Sequence, residues 1–124
     1  MADLPVLALV GDLIFSTRIS MAGKAAGVSV KIIRKPEKLA GEPGRLLLVD
    51  LNQDGAIDAA GAWRNGQEAV AIGFVSHVDA ETARRARLAG IDRVLARSHF
   101  VKILQDLLAD GTITETMTDV GGME

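Results

Sequence analysis

Short runs of consecutive apolar residues alternate along the chain with longer segments whose apolar residues recur at helical spacing. The runs occupy residues 5–10, 28–33, 45–50, 69–75 and 92–96. In three of the runs the apolar side chains are consecutive rather than alternate, which is typical of strands buried on both faces, as in a parallel sheet covered by helices. The pattern therefore predicts five β-strands.

The segments between the first strands predict helices of unequal strength. Apolar residues recur at helical spacing between the first two runs, and Gly27 then suits the left-handed conformation of a helix C-cap. Residues 36–40 can form only a short second helix before the sequence GEPG ends it. Residues 56–66 predict a third helix, although Gly61 lies in its middle.

Two clearer helices follow. Asp79 predicts the N-cap of a fourth helix that Gly90 ends, and Ser98 predicts the N-cap of a fifth helix over residues 99–109. Strands that alternate with helices favour one parallel sheet with helices on both faces. In such sheets chemistry gathers at the carboxyl ends of the strands.

Composition limits the possible partners and locations. The chain has 124 residues, 48% hydrophobic and 24% charged, which suits one compact domain. A net charge of −2 gives no general attraction to nucleic acid or to an anionic membrane. The absence of cysteine excludes disulfides and thiolate metal sites. With no signal-peptide or membrane-spanning pattern at the N-terminus, a soluble cytoplasmic protein is expected.

The segment DLNQDGAID, which begins at Asp50, matches most of a calcium-binding EF-hand loop. Asp50, Asn52 and Asp54 fall at the first, third and fifth loop positions. The twelfth position should supply a bidentate carboxylate but is Gly61, and the preceding strand leaves no room for a helix. The sequence therefore favours a strand-end aspartate over a calcium loop.

The stretches LVGD, LLLVDLNQDG and AGIDRVLARS resemble the receiver domains of two-component response regulators. The resemblance covers about residues 5–109. It implies an α/β fold, the flavodoxin-like (βα)5 three-layer sandwich, with a five-stranded parallel sheet in the order 2-1-3-4-5. It also places Asp50 at the phospho-acceptor position, and Asp12 at the second of the two acidic residues that follow the first strand.

Several positions depart from the receiver pattern. Gly11 replaces the first acidic residue, and Arg97 stands at the position of the receiver lysine. Val75 occupies the position of the switch hydroxyl, with Ser76 one residue later as a displaced candidate. Val94 replaces the switch aromatic residue. The resemblance therefore implies a degenerate site.

These departures weaken the expected magnesium site. Asp12, Asp50 and the backbone carbonyl of Asn52 supply the oxygen ligands that Mg²⁺ prefers, but with one carboxylate missing we expect only weak binding. Arg97 can bridge to Asp50 and mimic a fixed state. The simpler alternatives remain open: Asp12 as a helix cap, Asp50 as a cap or turn residue, and Arg97 as a structural ion-pair partner.

The sequence is compatible with three functions. The first is a stand-alone, non-enzymatic signalling module that binds a protein, either a histidine kinase or a downstream signalling protein. By the resemblance its surface is the fourth helix, fifth strand and fifth helix, with Arg84, Arg87, Arg93 and Lys102. The second is a phosphotransfer receiver that a histidine kinase phosphorylates on Asp50. The third is a flavodoxin-like small-molecule module, which the lack of a glycine-rich phosphate loop disfavours.

The polar sequence after Asp110 predicts a flexible C-terminal tail over residues 111–124, so the receiver-like domain is expected to span residues 1–110. Ile113, Met117 and Val120 are the tail residues able to dock on a neighbouring chain, which leaves a homodimer open.

Overall fold

A computed structural model describes residues 4–76 and 79–110. Within these residues one sheet of five parallel strands has the order β2-β1-β3-β4-β5, as the resemblance predicts. The strands are β1 (Val6–Leu9), β2 (Val30–Ile33), β3 (Leu46–Asp50), β4 (Val70–Val75) and β5 (Arg93–Ala96). The five apolar runs of the sequence are therefore confirmed as strands.

Three α-helices and one short 3₁₀ helix connect the strands in the described part of the chain, and a fourth α-helix follows the last strand. They are α1 (Leu13–Ala26), the 3₁₀ helix (Pro36–Lys38), α2 (Ala56–Asn65), α3 (Ala80–Ala89) and α4 (Arg97–Asp110). The second predicted helix is thus a single 3₁₀ turn, because the GEPG sequence stops it. The fifth predicted helix begins earlier than expected, so Ser98 lies in its first turn and the predicted N-cap is wrong.

The other helix ends follow the sequence closely. The Asp12 carboxylate accepts hydrogen bonds from the backbone N–H groups of Ile14 and Phe15, and so caps α1. Asp79 caps α3 in the same way, as predicted. Gly27 and Gly90 end α1 and α3 with φ angles of 72° and 111°, a backbone conformation that favours glycine.

The helices cover both faces of the sheet, which gives three layers. Alternate strand residues divide the core into two apolar clusters, one under α1 and α4 and one under α2 and α3. On the α1–α4 face the strands contribute Val6, Ala8, Leu46, Leu48, Ile72, Phe74 and Leu95. On the α2–α3 face they contribute Leu7, Leu9, Ile33, Leu47, Val49, Ala71, Val75 and Val94.

Close packing on the α2–α3 face explains the glycine in the middle of α2. A Cβ atom at Gly61 would lie 2.4 Å from the carbonyl oxygen of Ala89, so only glycine lets the two helices approach this closely. On the same face Trp63 is buried, and its indole N–H donates a 2.7 Å hydrogen bond to the carbonyl of Glu42. Trp63 therefore contributes to the packing of the core on this face.

A paired salt bridge joins α2 to the start of β5. Arg64 Nε and Nη2 lie 2.8 and 3.2 Å from the two Asp92 carboxylate oxygens, and Oδ2 also accepts the backbone N–H of Ala71. The hydrogen bond to Asp92 raises the pKa of the Arg64 guanidinium, with a smaller charge attraction in the same direction against a lowering by burial. Arg64 is therefore charged at every ordinary pH.

No helix in the described ranges is long and apolar enough to cross a bilayer. The predicted tail, residues 111–124, and its docking residues lie outside the described residues, as do residues 1–3 of the predicted domain.

Candidate functional site

The predicted site residues lie at the carboxyl edge of the sheet. Asp50 is the last residue of β3, Asp12 follows neighbouring β1 and caps α1, and Arg97 follows β5 as the first residue of α4. Carboxyl ends of parallel strands share one edge of a sheet, so the topology itself gathers these three residues. The strand-end reading of Asp50 therefore holds, and a strand rather than a helix precedes the loop of residues 51–55.

Asp50 is a buried carboxylate with two different neighbours. Its residue surface is only 8% exposed, which makes it one of two buried polar residues of the described chain. Oδ1 accepts the backbone N–H of Asn52 at 3.0 Å, and Oδ2 lies 3.5 Å from Nη2 of Arg97. Each oxygen thus faces positive charge or an N–H donor, which offsets part of the cost of burying a carboxylate.

Arg97 rests on an aromatic cluster that contains all three phenylalanines of the chain. Its guanidinium carbon lies 4.7 Å from the ring centroid of Phe15 and 5.8 Å from that of Phe74. The Phe74 ring in turn stacks on Phe100, with centroids 4.5 Å apart. Rings at these distances attract a cation through their negative faces. The guanidinium is therefore held between Asp50 and the rings, with Nε buried and without a hydrogen bond to the described residues.

At the position of the receiver switch hydroxyl the structure has a buried valine, Val75, with Ser76 as the next residue. Val75 belongs to the cluster on the α2–α3 face, whereas Phe74 pairs with Asp50 across the strands and packs on the α1–α4 face. Ser76 follows β4 and is exposed. Its backbone N–H, rather than its hydroxyl, makes the contact with the β3–α2 loop, donating a 2.7 Å hydrogen bond to Oδ1 of Asn52.

Gln53 is a site residue that the sequence did not suggest. Its Nε2 donates a 2.7 Å hydrogen bond to the carbonyl of Arg34, just after β2. A Cβ atom at Gly11 would lie 3.3 Å from the same Nε2 atom. The carboxamide of Gln53 therefore lies beside Gly11, the position at which the receiver pattern carries its first acidic residue.

The residues at this edge do not fit a Mg²⁺ ion as they stand. Asp50 faces the permanent charge of Arg97, and Oδ1 of Asp12 accepts two backbone N–H groups in capping α1. Magnesium usually takes one or two carboxylates in near-octahedral geometry, and charge repulsion from a guanidinium opposes it. Across the described ranges no group of three or more His, Cys, Asp or Glu side chains is placed to hold a metal ion. Weak Mg²⁺ binding by Asp12, Asp50 and the backbone carbonyl of Asn52 stays a prediction.

The predicted partner face is largely basic, with one of its arginines paired with an acidic residue. α3 carries the exposed Arg84, whose Nη2 lies 3.1 Å from the Glu81 carboxylate, and the exposed side chain of Leu88. In β5, Arg93 donates a 3.1 Å hydrogen bond to the carbonyl of Asp92, and Lys102 of α4 is exposed. These positions form a basic surface with one large apolar side chain.

A second surface, which the sequence pattern did not indicate, lies on α1. Among the described residues, three of the five large exposed hydrophobic side chains lie on α1: Leu13, Ile14 and Met21. Ile14 and Met21 line a groove of about 470 Å³ between α1 and α4. Residues 13–36, which include this helix, contain five basic residues and no acidic one.

The fold is that of response-regulator receiver domains. The BeF3-activated receiver domain of DrrB has 14% sequence identity and a TM-score of 0.75, covering 88% of this chain and 97% of that one. A two-component response regulator from Clostridium difficile has 16% identity and a TM-score of 0.74, covering 87% and 94%. HP1043, an orphan response regulator of H. pylori, has 14% identity and a TM-score of 0.68, covering 86% and 92%.

Neither a scan with protein-family models nor a search of curated proteins gives a match. At these identities the structural likeness extends to the fold, while the activity of this chain is a separate question.

Proposed function

We propose that the chain is a receiver-like signalling module that acts by binding a protein partner, without catalysis, and that its Asp50 site is held in one state. The observation that carries the proposal is the pair between Asp50 and Arg97, with the guanidinium stacked on Phe15 and Phe74. In this arrangement a permanently charged side chain, Arg97, already lies beside Asp50, where a switchable site would have to form new contacts with a phosphoryl group.

A ligand shifts an equilibrium between two states only by its different affinity for them. A phosphoryl group on Asp50 would gain little from this site, because Arg97 is already engaged and Ser76 presents its backbone N–H to Asn52. Because its contacts would be weak, a phosphoryl group on Asp50 would have little influence on α3, β5 and α4. The module then binds its partner constitutively, through the basic surface of those three elements.

The proposal is tested by backbone NMR of the protein with Mg²⁺ and beryllium fluoride, which together mimic a phosphoryl group on aspartate. We expect the amide signals of α3, β5 and α4 to stay where they are. Asp54→Asn is the matched control for Asp50→Asn, since Asp54 is an exposed aspartate of the same loop. In both variants, as in the unmodified chain, adding Mg²⁺ and beryllium fluoride should leave these signals where they are.

The opposite result would establish the alternative function, a phosphotransfer receiver. Its signature is a shift of the amides of residues 84–104 on adding Mg²⁺ and beryllium fluoride, abolished by Asp50→Asn and retained in Asp54→Asn. That outcome would overturn the constitutive proposal.

A further inference from the structure

The loop after β3 reaches across the carboxyl edge of the sheet. Since β1 lies between β2 and β3, the Gln53 side chain must pass the end of β1 to reach the carbonyl of Arg34 after β2. It passes at Gly11, the residue without a side chain. Gly11 is therefore more than the loss of an acidic residue, because it leaves room for the Gln53 bridge.

The neighbouring residue makes a second bridge in the other direction. Oδ1 of Asn52 accepts the backbone N–H of Ser76 at 2.7 Å, just after β4. The loop is itself fixed, since the N–H of Asn52 donates to Asp50 Oδ1 and the carbonyl of Gln53 accepts the N–H of Ala56 at the start of α2. Two adjacent carboxamides thus tie the ends of β2, β3 and β4 together.

We infer that Asn52 and Gln53 form a carboxamide clasp that holds these strand ends together without an ion, and that Gln53 beside Gly11 closes the edge to divalent cations. A cation bridges strand ends through charged oxygen ligands, whereas the clasp does so through neutral hydrogen bonds. Arg97 then supplies a cation beside Asp50, and the clasp connects the strand ends, so both parts come from the chain itself.

One atom of the clasp, a side-chain oxygen of Gln53, makes it possible to test the competing arrangement in which a cation binds at this edge. Gln53 Oε1 is buried and accepts no hydrogen bond from the described residues. The opposite orientation of the amide would set this oxygen against the carbonyl of Arg34, so the donor must face Arg34. An unpaired oxygen is also a potential ligand, and a cation bound to it would contradict the inference.

The test is a titration of the full-length, isotope-labelled protein with Mn²⁺, a paramagnetic ion that broadens the NMR signals of nearby amides. Four proteins are compared: the unmodified chain, Gly11→Asp, Gln53→Ala, and the double variant Gly11→Asp/Gln53→Ala. The matched control is Gln67→Ala, which removes a carboxamide that also reaches a backbone carbonyl, that of Glu42, away from this site.

We expect no selective broadening at residues 11, 12 and 50–53 of the unmodified chain or of Gln67→Ala. The double variant regains both a carboxylate and the space for an ion, so it should bind Mn²⁺ at least about ten-fold more tightly than Gly11→Asp alone. In the single Gly11→Asp variant the new carboxylate meets Gln53 Nε2, which competes with the ion for it.

Two results would overturn the inference. Selective, saturable broadening of residues 50–53 in the unmodified chain that Gln53→Ala weakens would make Gln53 a ligand instead of a barrier. Equal Mn²⁺ affinity of Gly11→Asp and the double variant would show that Gln53 does not close the edge. Neither result bears on the constitutive proposal, which rests on the response of α3, β5 and α4 to beryllium fluoride.

Discussion

The Asp50–Arg97 pair can be measured directly with a double-mutant cycle. Asp50→Asn removes the charge and retains an oxygen for the N–H of Asn52, while Arg97→Met removes the cation and retains an apolar chain over Phe15. The coupling free energy isolates the interaction between the two side chains, because the separate costs of each substitution cancel.

The size of this coupling free energy follows from the distance between the two groups and from their exposure. Two unit charges 3.5 Å apart attract by about 5 kcal/mol at an effective dielectric constant near 20. Most of this attraction is offset by desolvation of the two groups. The side chains are 32% exposed for Arg97 and 11% for Asp50, so solvent screens the pair further. We therefore expect a net coupling of about 1 kcal/mol.

The assay is urea unfolding followed by circular dichroism for the unmodified chain, both single variants and the double variant. The free energies of unfolding are compared where the dependence on urea concentration, the m-value, is the same in all four proteins. The control cycle uses the exposed pair Glu81 and Arg84, whose side chains are 61% and 63% exposed. That pair should couple by only about 0.3–0.5 kcal/mol, as exposed helix pairs do. A coupling for Asp50 and Arg97 no larger than the control would mean that the pair is not held in solution, and the proposal of a fixed state would lose its support.

Three further predictions concern stability. Gly61→Ala should destabilise the fold by about 1–3 kcal/mol in urea unfolding, because the new methyl group overlaps the carbonyl of Ala89; unchanged stability would show that α2 and α3 are less closely packed. Trp63→Phe should cost about 1–3 kcal/mol by leaving the Glu42 carbonyl without its indole donor and removing part of a buried ring, and a neutral effect would contradict that hydrogen bond. Removal of residues 111–124 should leave the melting temperature nearly unchanged in calorimetry, since this polar segment has few residues able to bury, and a fall of many degrees would show that the tail belongs to the core.

The architecture could be predicted from the sequence because it depends on local signals. Runs of consecutive apolar residues identify buried strands, and Asp79, Gly27 and Gly90 mark helix ends through their own backbone and side-chain chemistry. The two predictions that were wrong, the second helix and the N-cap of the fifth, also concern local signals. Residues 36–40 hold too few residues for an α-helix, and Ser98 is a good N-cap residue in a helix that starts one residue earlier.

The site was only partly predictable, because its contacts depend on strand order. The position of Asp50 at a strand end follows from the pattern of residues 45–50. The bridge from Gln53 to Arg34 does not, since it requires β1 to lie between β2 and β3 and Gly11 to lie in the path. Likewise, nothing local in the sequence places Arg97 over Phe15.

The distribution of aromatic residues makes the two faces of the sheet separately observable. Trp63 is the single tryptophan, the chain has no tyrosine, and Trp63 is buried on the α2–α3 face. All three phenylalanines lie on the α1–α4 face. Tryptophan emission therefore follows one face, and fluorine labels on phenylalanine follow the other face together with the Arg97 site. Coincident unfolding curves from the two signals would establish a single cooperative transition, whereas separate midpoints would identify the layer that opens first.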